Sequence, residues 1–139
     1  MDLSTAHAAA RAEAARLPAL QASLDLLNAA PGPAAILLYA GTRPAPGAAP
    51  AGALLAAVPM AATAGTIDTG NVRIVLTVPI EAQAVEGGDP VWARIFDGAG
   101  AWWADASVSA TGGGGEIELD SATLYAGGIV RLTSAILQG

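Results

Sequence analysis

Past residue 30 glycine and proline break this chain so often that no uninterrupted segment exceeds 11 residues. Of its 139 residues, 17 are glycine and 9 proline, and all but one of the prolines follow residue 30. Glycine and proline in such density mark turns, and short apolar segments between turns read as strands. The chain is therefore expected to fold as a mainly β domain.

Residues 34–40 make a short apolar strand ending in Tyr39, and residues 53–60 a second apolar segment. Residues 41–52 form a Pro/Ala/Gly loop, too poor in large apolar groups to fold alone and expected to drape over a surface. Residues 65–70 read as a turn-rich link. The clearest strand is 71–80, with Val72, Ile74, Leu76, Val78 and Ile80 on one face and Pro79 at its end or on an edge.

A hairpin is expected between 91–96 and 101–110, joined by Asp97-Gly98-Ala99-Gly100. A two- or four-residue loop puts Val91, Ala93 and Ile95 on one face with Trp102, Ala104, Ala106 and Val108. The other face then holds Trp92, Arg94, Phe96, Trp103, Asp105 and Ser107. A three-residue loop exchanges these partners. Residues 116–120 alternate again, and 128–138 close the chain with Val130, Leu132 and Ile136 sharing a face. Six or seven such strands predict a jelly-roll-like antiparallel β-sandwich over 31–139.

Residues 1–30 differ. Ser4 or Thr5 can cap a helix, and the alanine-rich run that follows has high helix propensity. Pro18 lacks a backbone donor and crowds the preceding turn, so a kink or break is expected near Leu17. Leu17, Leu20, Leu24 and Leu27 form a narrow apolar stripe expected to dock on the domain's own sheet or, less favoured, on a partner. The alanine-rich first half has no large apolar face and reads as an arm that orders in an assembly.

Charge and chemistry exclude more than they suggest. The net charge is −6, and all six basic residues are arginines scattered along the chain, which argues against nucleic-acid binding. Only 13% of residues are charged, against roughly 25% in ordinary soluble domains, which suits either a surface covered by neighbours or a genome that favours alanine and arginine. No basic leader opens the sequence, and the charge-free stretch 44–67 carries too many prolines for a membrane helix. There is no cysteine to make a disulfide or thiolate site.

His7 is the single histidine, with Asp2 and Glu13 its nearest carboxylates in sequence, and reads as a solvated helix residue. Glu116, Glu118 and Asp120 would share a strand face and could bind a cation, though the plainer reading is the wet side of that strand. Neither Gly87-Gly88 nor the run 112–115 leads into a Lys-Ser/Thr step, so neither is a phosphate loop. No catalytic residue, metal ligand or cofactor is expected. The sharpest constellation is Trp92, Trp103 and Arg94. Exposed, it is an aromatic platform for a sugar or a protein. Covered by the N-terminal helix, with Arg94 stacked on Trp103, it is a second layer of core, and this is the favoured reading.

Taken in order, several segments form one pattern: Leu26-Leu27-Asn28, Pro31-Gly32-Pro33, and Tyr39 through Ala45. Next come Gly52-Ala53-Leu54-Leu55-Ala56, the Trp92-to-Ser107 hairpin, and Gly127 through Ser134. This pattern resembles small virion structural proteins of tailed bacteriophages and gene-transfer-agent particles, above all capsid cement or decoration proteins. The alanine-rich arm before Pro18 and the doubled Trp102-Trp103 depart from it.

The resemblance implies a non-enzymatic protein on the virion, assembled in the bacterial cytoplasm. It would bind the major capsid protein or copies of itself, as a homo-oligomer on the particle. The expected contacts are the arm, Arg43 in its loop, and whichever of Trp92 or Trp103 stays exposed. The rival reading is a carbohydrate- or receptor-binding module of a tail or surface appendage, with Trp92 and Trp103 as its platform. A hydrolase is the weakest reading, for want of a nucleophile–base pair.

Overall fold

A computed structural model describes residues 1–138. One helix, α1 (Thr5–Leu27), precedes nine strands. Ser4 caps the helix, its side chain accepting the His7 N–H. Of the kink or break expected near Leu17, the break does not occur: α1 runs unbroken through Pro18. The proline forfeits one helical bond in a turn exposed on all sides, where water can take the freed carbonyl, and good helix formers flank it.

Only the last two turns of α1 are buried against the domain. Leu20, Leu24 and Leu27 are buried, whereas every residue from 4 to 19 is exposed, Leu17 at 37% included. The stripe thus docks on the chain's own core from Leu20 onward, and Leu17 falls outside it.

The strands are β1 (Ala35–Tyr39), β2 (Leu54–Pro59), β3 (Gly65–Asp68), β4 (Arg73–Leu76) and β5 (Ile80–Gln83). They continue as β6 (Trp92–Phe96), β7 (Trp102–Ala110), β8 (Ile117–Leu119) and β9 (Ile129–Gln138). They join in a single sheet of order β2-β1-β6-β7-β8-β9-β4-β3, with β5 paired to β9 alongside. The domain is mainly β, as expected. A jelly-roll of two separate antiparallel sheets is not what the pairing makes. Instead, two antiparallel halves are stitched by a short parallel seam, Val108–Ala110 on Ile117–Leu119, into one curled half-barrel. The backbone N–H groups of Val85 and Glu86 both reach the Leu55 carbonyl, drawing the chain beyond β5 against β2.

The concave face is dry. Ile36, Leu38, Ile95, Ile117, Leu119, Val130 and Leu132 are fully buried there, and the three helix leucines belong to the same cluster.

Three local expectations need correction. The 65–70 link contains β3, which pairs with β4 and aligns Asp68 with Arg73. The strand expected over 71–80 is two, β4 and β5, since Pro79 cannot donate to a ladder. On β9 the burial pattern shifts after Leu132, so Ala135 and Leu137 point inward and Ile136 does not. The β8–β9 register slips at that point, between Glu118 and Leu119.

Candidate functional site

The β6–β7 hairpin decides which side chains meet. Its tip closes with a three-residue loop: the Asp97 N–H donates to the Ala101 carbonyl, and the Asp97 carboxylate accepts the Ala99 and Ala101 N–H groups. Gly100 takes φ +84°, which this turn demands and glycine meets without strain. The tip packs on the end of α1. There Gly98 donates to the Leu26 carbonyl, and a Cβ on Gly98 would sit 1.9 Å from the Ala29 oxygen.

A bulge between Ile95 and Phe96 then changes the register. Ile95 faces Ala104, but Phe96 faces Trp102, leaving Trp103 as the extra residue. The main register thus keeps the expected faces for Trp92, Arg94, Asp105 and Ser107, while the two tryptophans beside the turn exchange places. Trp103 turns to the helix, where its indole N–H donates to the Ser23 carbonyl at 3.1 Å. Trp102 joins the convex face with Arg94, donating to Asp105 at 3.2 Å.

Trp92 and Trp103, expected on one face, therefore lie on opposite faces. The convex face holds a layered cluster. Tyr39 stacks on Trp92 with ring centroids 4.7 Å apart. Arg94, expected on Trp103, lies instead over Trp92, its guanidinium carbon 5.3 Å from the ring centre. Two parallel bonds of 2.8 and 2.9 Å tie Arg94 to Asp105, with the side chains only 8% and 5% exposed.

The bidentate bond from Arg94 holds the Asp105 carboxyl below the usual aspartate value. Burial opposes that, and the Trp102 indole and the Gly47 amide assist it. Arg94 is raised in turn by Asp105. One group in the cluster is left unsatisfied: the Trp92 indole N–H is buried and has no acceptor. Such an orphan costs about 1–3 kcal/mol.

The cover over this face is the Pro/Ala/Gly loop, residues 41–52, not the helix. The loop leaves the sheet after Tyr39, which pairs with Trp92. It reaches Trp102 opposite Phe96 at the far end of β6, where a Cβ on Gly47 would lie 3.4 Å from the indole. It then returns to Ala53, whose carbonyl accepts the Ala40 N–H. Arg43, Pro44 and Pro46 line a shallow cavity of about 230 Å³ over Asp105. Trp92 is 1% exposed, covered by Tyr39 and Arg94, and Trp102 stays 46% exposed. Arg43 is exposed on the loop, away from the helix stripe.

Tyr39, Trp102 and Asp105 are the members of this site that sequence reasoning missed. The doubled Trp102-Trp103 next to a Gly-rich turn was the available signal, because one extra residue there exchanges the two indoles.

Two of the three carboxylates of 116–120 have structural partners. Glu116 accepts from the Ser107 N–H and hydroxyl, and Glu118 from the Gly112 and Gly114 N–H groups. They fasten the glycine turn to the strands beside it. Among the described residues no three His, Asp or Glu side chains converge as a metal site. No helix is long and apolar enough to cross a membrane. Comparison with protein-family models, with curated proteins and with solved structures found no match.

Proposed function

We propose that this chain is a non-enzymatic structural component of a virion, of the capsid cement or decoration type. On this reading it binds the outer shell and ties several capsid subunits together. The observation that carries the proposal is the projecting half of α1. Residues 5–19 form about 22 Å of helix exposed along its length, with Arg16 and Ala19 bordering a cavity beside Val72, and the helix is rooted by Leu20, Leu24 and Leu27. A rooted, unpartnered arm of small side chains is suited to lie in a groove of a neighbouring subunit.

The rest of the surface supports this reading. Arg73, Arg94 and Arg131 are each paired within the chain, to Asp68, Asp105 and Glu81. The curled sheet is then a derivative of the jelly-roll-like sandwich, its two antiparallel halves standing for the two sheets. Adhesion would come from repetition. A small domain that touches the major capsid protein at several places, or joins copies of itself over the shell, becomes hard to remove even if each contact is weak.

Purified particles test the reading. Hundreds of copies per particle are expected, and a handful would move the protein to a tail or neck. Deleting residues 1–16 should abolish co-sedimentation with shells while the β domain still melts cooperatively. Undiminished binding by that folded, truncated chain removes the arm from the account.

A further inference from the structure

We propose that the corner formed by Val85, Tyr125 and Ile129 is an acceptor site for the N-terminal arm of a second copy of this chain. The inference rests on the arm being a docking element, as the virion reading has it, and names what the arm docks on.

The corner is an apolar patch fixed in place by backbone bonds. Gln83 faces Ile129 across β5 and β9. The Ala84 N–H donates to the Gly128 carbonyl, and the Gly127 N–H to the Ala84 carbonyl. Just beyond, Gly88 and Leu124 exchange both of their backbone bonds, and a Cβ on Gly87 would sit 3.9 Å from the Tyr125 Cα. Val85, Ile129 and Tyr125 are thereby neighbours, yet they stay 67%, 64% and 74% exposed. Large apolar side chains left bare together mark a contact surface, and tyrosine is among the residues that dominate binding energy.

The rim of the corner says what covers it. Glu81, Glu86, Asp89 and Asp120 lie on its strands and loops against the single cation Arg131, a net charge of −3. Glu81 and Arg131 satisfy one another, so Glu86, Asp89 and Asp120 carry the excess. Within the chain, Arg73 and Arg94 are held by Asp68 and Asp105, and Arg43 stands alone on its loop. The arm is the complement. Residues 5–19 carry Arg11, Arg16 and Glu13, a net charge of +1. At about 100° per residue, Arg11 and Arg16 flank an exposed face of Ala8, Ala12 and Ala15. A flat face between two cations matches an apolar patch between carboxylates.

The arm that fills the corner belongs to another copy. The corner sits at Ile129, where β9 begins. The arm is rooted beside Val72, next to Arg73, which faces Gln138 at the other end of that strand. About 30 Å of strand separates the two, and both the arm and the corner are exposed in the single chain. Each copy then offers one arm and one corner, so the contact propagates as reciprocal pairs, rings or chains. One patch of three side chains is a weak junction, made firm by repetition.

Sedimentation of the full-length chain, free of shells and at submillimolar concentration, is the test. Its average mass should climb with concentration and fall as salt is raised. Tyr125→Ser with Ile129→Ser spoils the corner, and Arg11→Glu with Arg16→Glu reverses the arm. All four residues are exposed, so both chains should melt like the parent while losing more than about tenfold in self-affinity. Mixed together, they hold one sound corner and one sound arm between them, and should form a single pair and nothing larger. If the spoiled corner also changes the melt, Glu86→Arg with Asp120→Arg replaces it and must give the same losses.

A parent that stays monomeric at every concentration overturns the inference. So does self-affinity indifferent to either substitution, or a mixture that fails to pair. The virion reading fails on a different measurement, the arm-dependent co-sedimentation with shells. Shells that still take the arm of a chain monomeric in solution make a shell subunit its partner, which overturns the inference and leaves that reading standing.

Discussion

The sheet carries a buried layer on each face, and the two are built by different rules. The concave layer is hydrocarbon: Ile36, Leu38, Ile95, Ile117 and Leu132, closed by three leucines of α1. Its strength follows from area removed from water and depends little on which aliphatic group meets which. The convex layer is Tyr39, Trp92, Arg94 and Asp105 under a loop. There each group is stable only because a particular partner is present, since a buried charge without its counterpart is costly. Truncation in one layer leaves a void, and truncation in the other leaves an uncompensated charge.

Breaking the convex pair should have the largest effect. Asp105→Ala leaves the Arg94 guanidinium buried and unpaired, and is expected to cost about 3–5 kcal/mol in urea unfolding. Replacing both partners, Arg94→Met with Asp105→Leu, should recover most of that loss, because no charge then remains to strand. A cost below about 1 kcal/mol for Asp105→Ala would mean that water reaches the pair and that the two layers do not differ in kind.

In the concave layer, Leu27→Ala should cost about 2–5 kcal/mol through lost burial and the cavity left behind. The neighbouring Leu26, 52% exposed, provides the control: its alanine variant should stay within about 0.5 kcal/mol of the parent.

Acid separates the layers by the shape of a curve. The bond from Arg94 holds Asp105 below the usual value of 3.8, so the folded state favours the ionised carboxylate. The resulting stability is complete above the ordinary value and is lost as pH falls through the depressed one. Asp105→Asn should therefore flatten the acid limb of stability against pH, whereas Leu27→Ala lowers the whole curve without reshaping it. A residual slope is expected in the Asn variant, because Asp68 is also lowered, chiefly by its side-chain bond with Asn71.

The concave layer was legible from the chain because it obeys a period. Ile74 and Leu76, Ile117 and Leu119, and Val130 and Leu132 alternate as a half-buried strand must. The convex layer was not. Alternation puts Arg94 and Asp105 on one face and the expected cover for that face is the N-terminal helix, because nothing local to β6 or β7 announces that a loop from residues 41–52 lies across them. The exchange of Trp102 and Trp103 turns on one inserted residue, which reverses side-chain direction without altering composition. The parallel β7–β8 seam and the long-range approach of Val85 to Leu55 have no sequence period to announce them. The resemblance to virion proteins rests on the order and texture of segments, so it bears on the arm and not on this covered cluster.

The smallest effect on stability should come from the part of the molecule that belongs to neither layer. Pro18 sits in α1 just outside the docked turns, where residues on both sides of it are exposed. Pro18→Ala restores a backbone donor to the Ala14 carbonyl and relieves the crowded turn, so the arm should gain helical content and slow its amide exchange over residues 8–16. Global unfolding should shift by no more than about 0.5 kcal/mol, because the arm is not packed against the core that melts. A large rise in the melting midpoint would show instead that the arm and the docked turns unfold together. The three leucines would then root the whole helix as one cooperative unit with the concave layer.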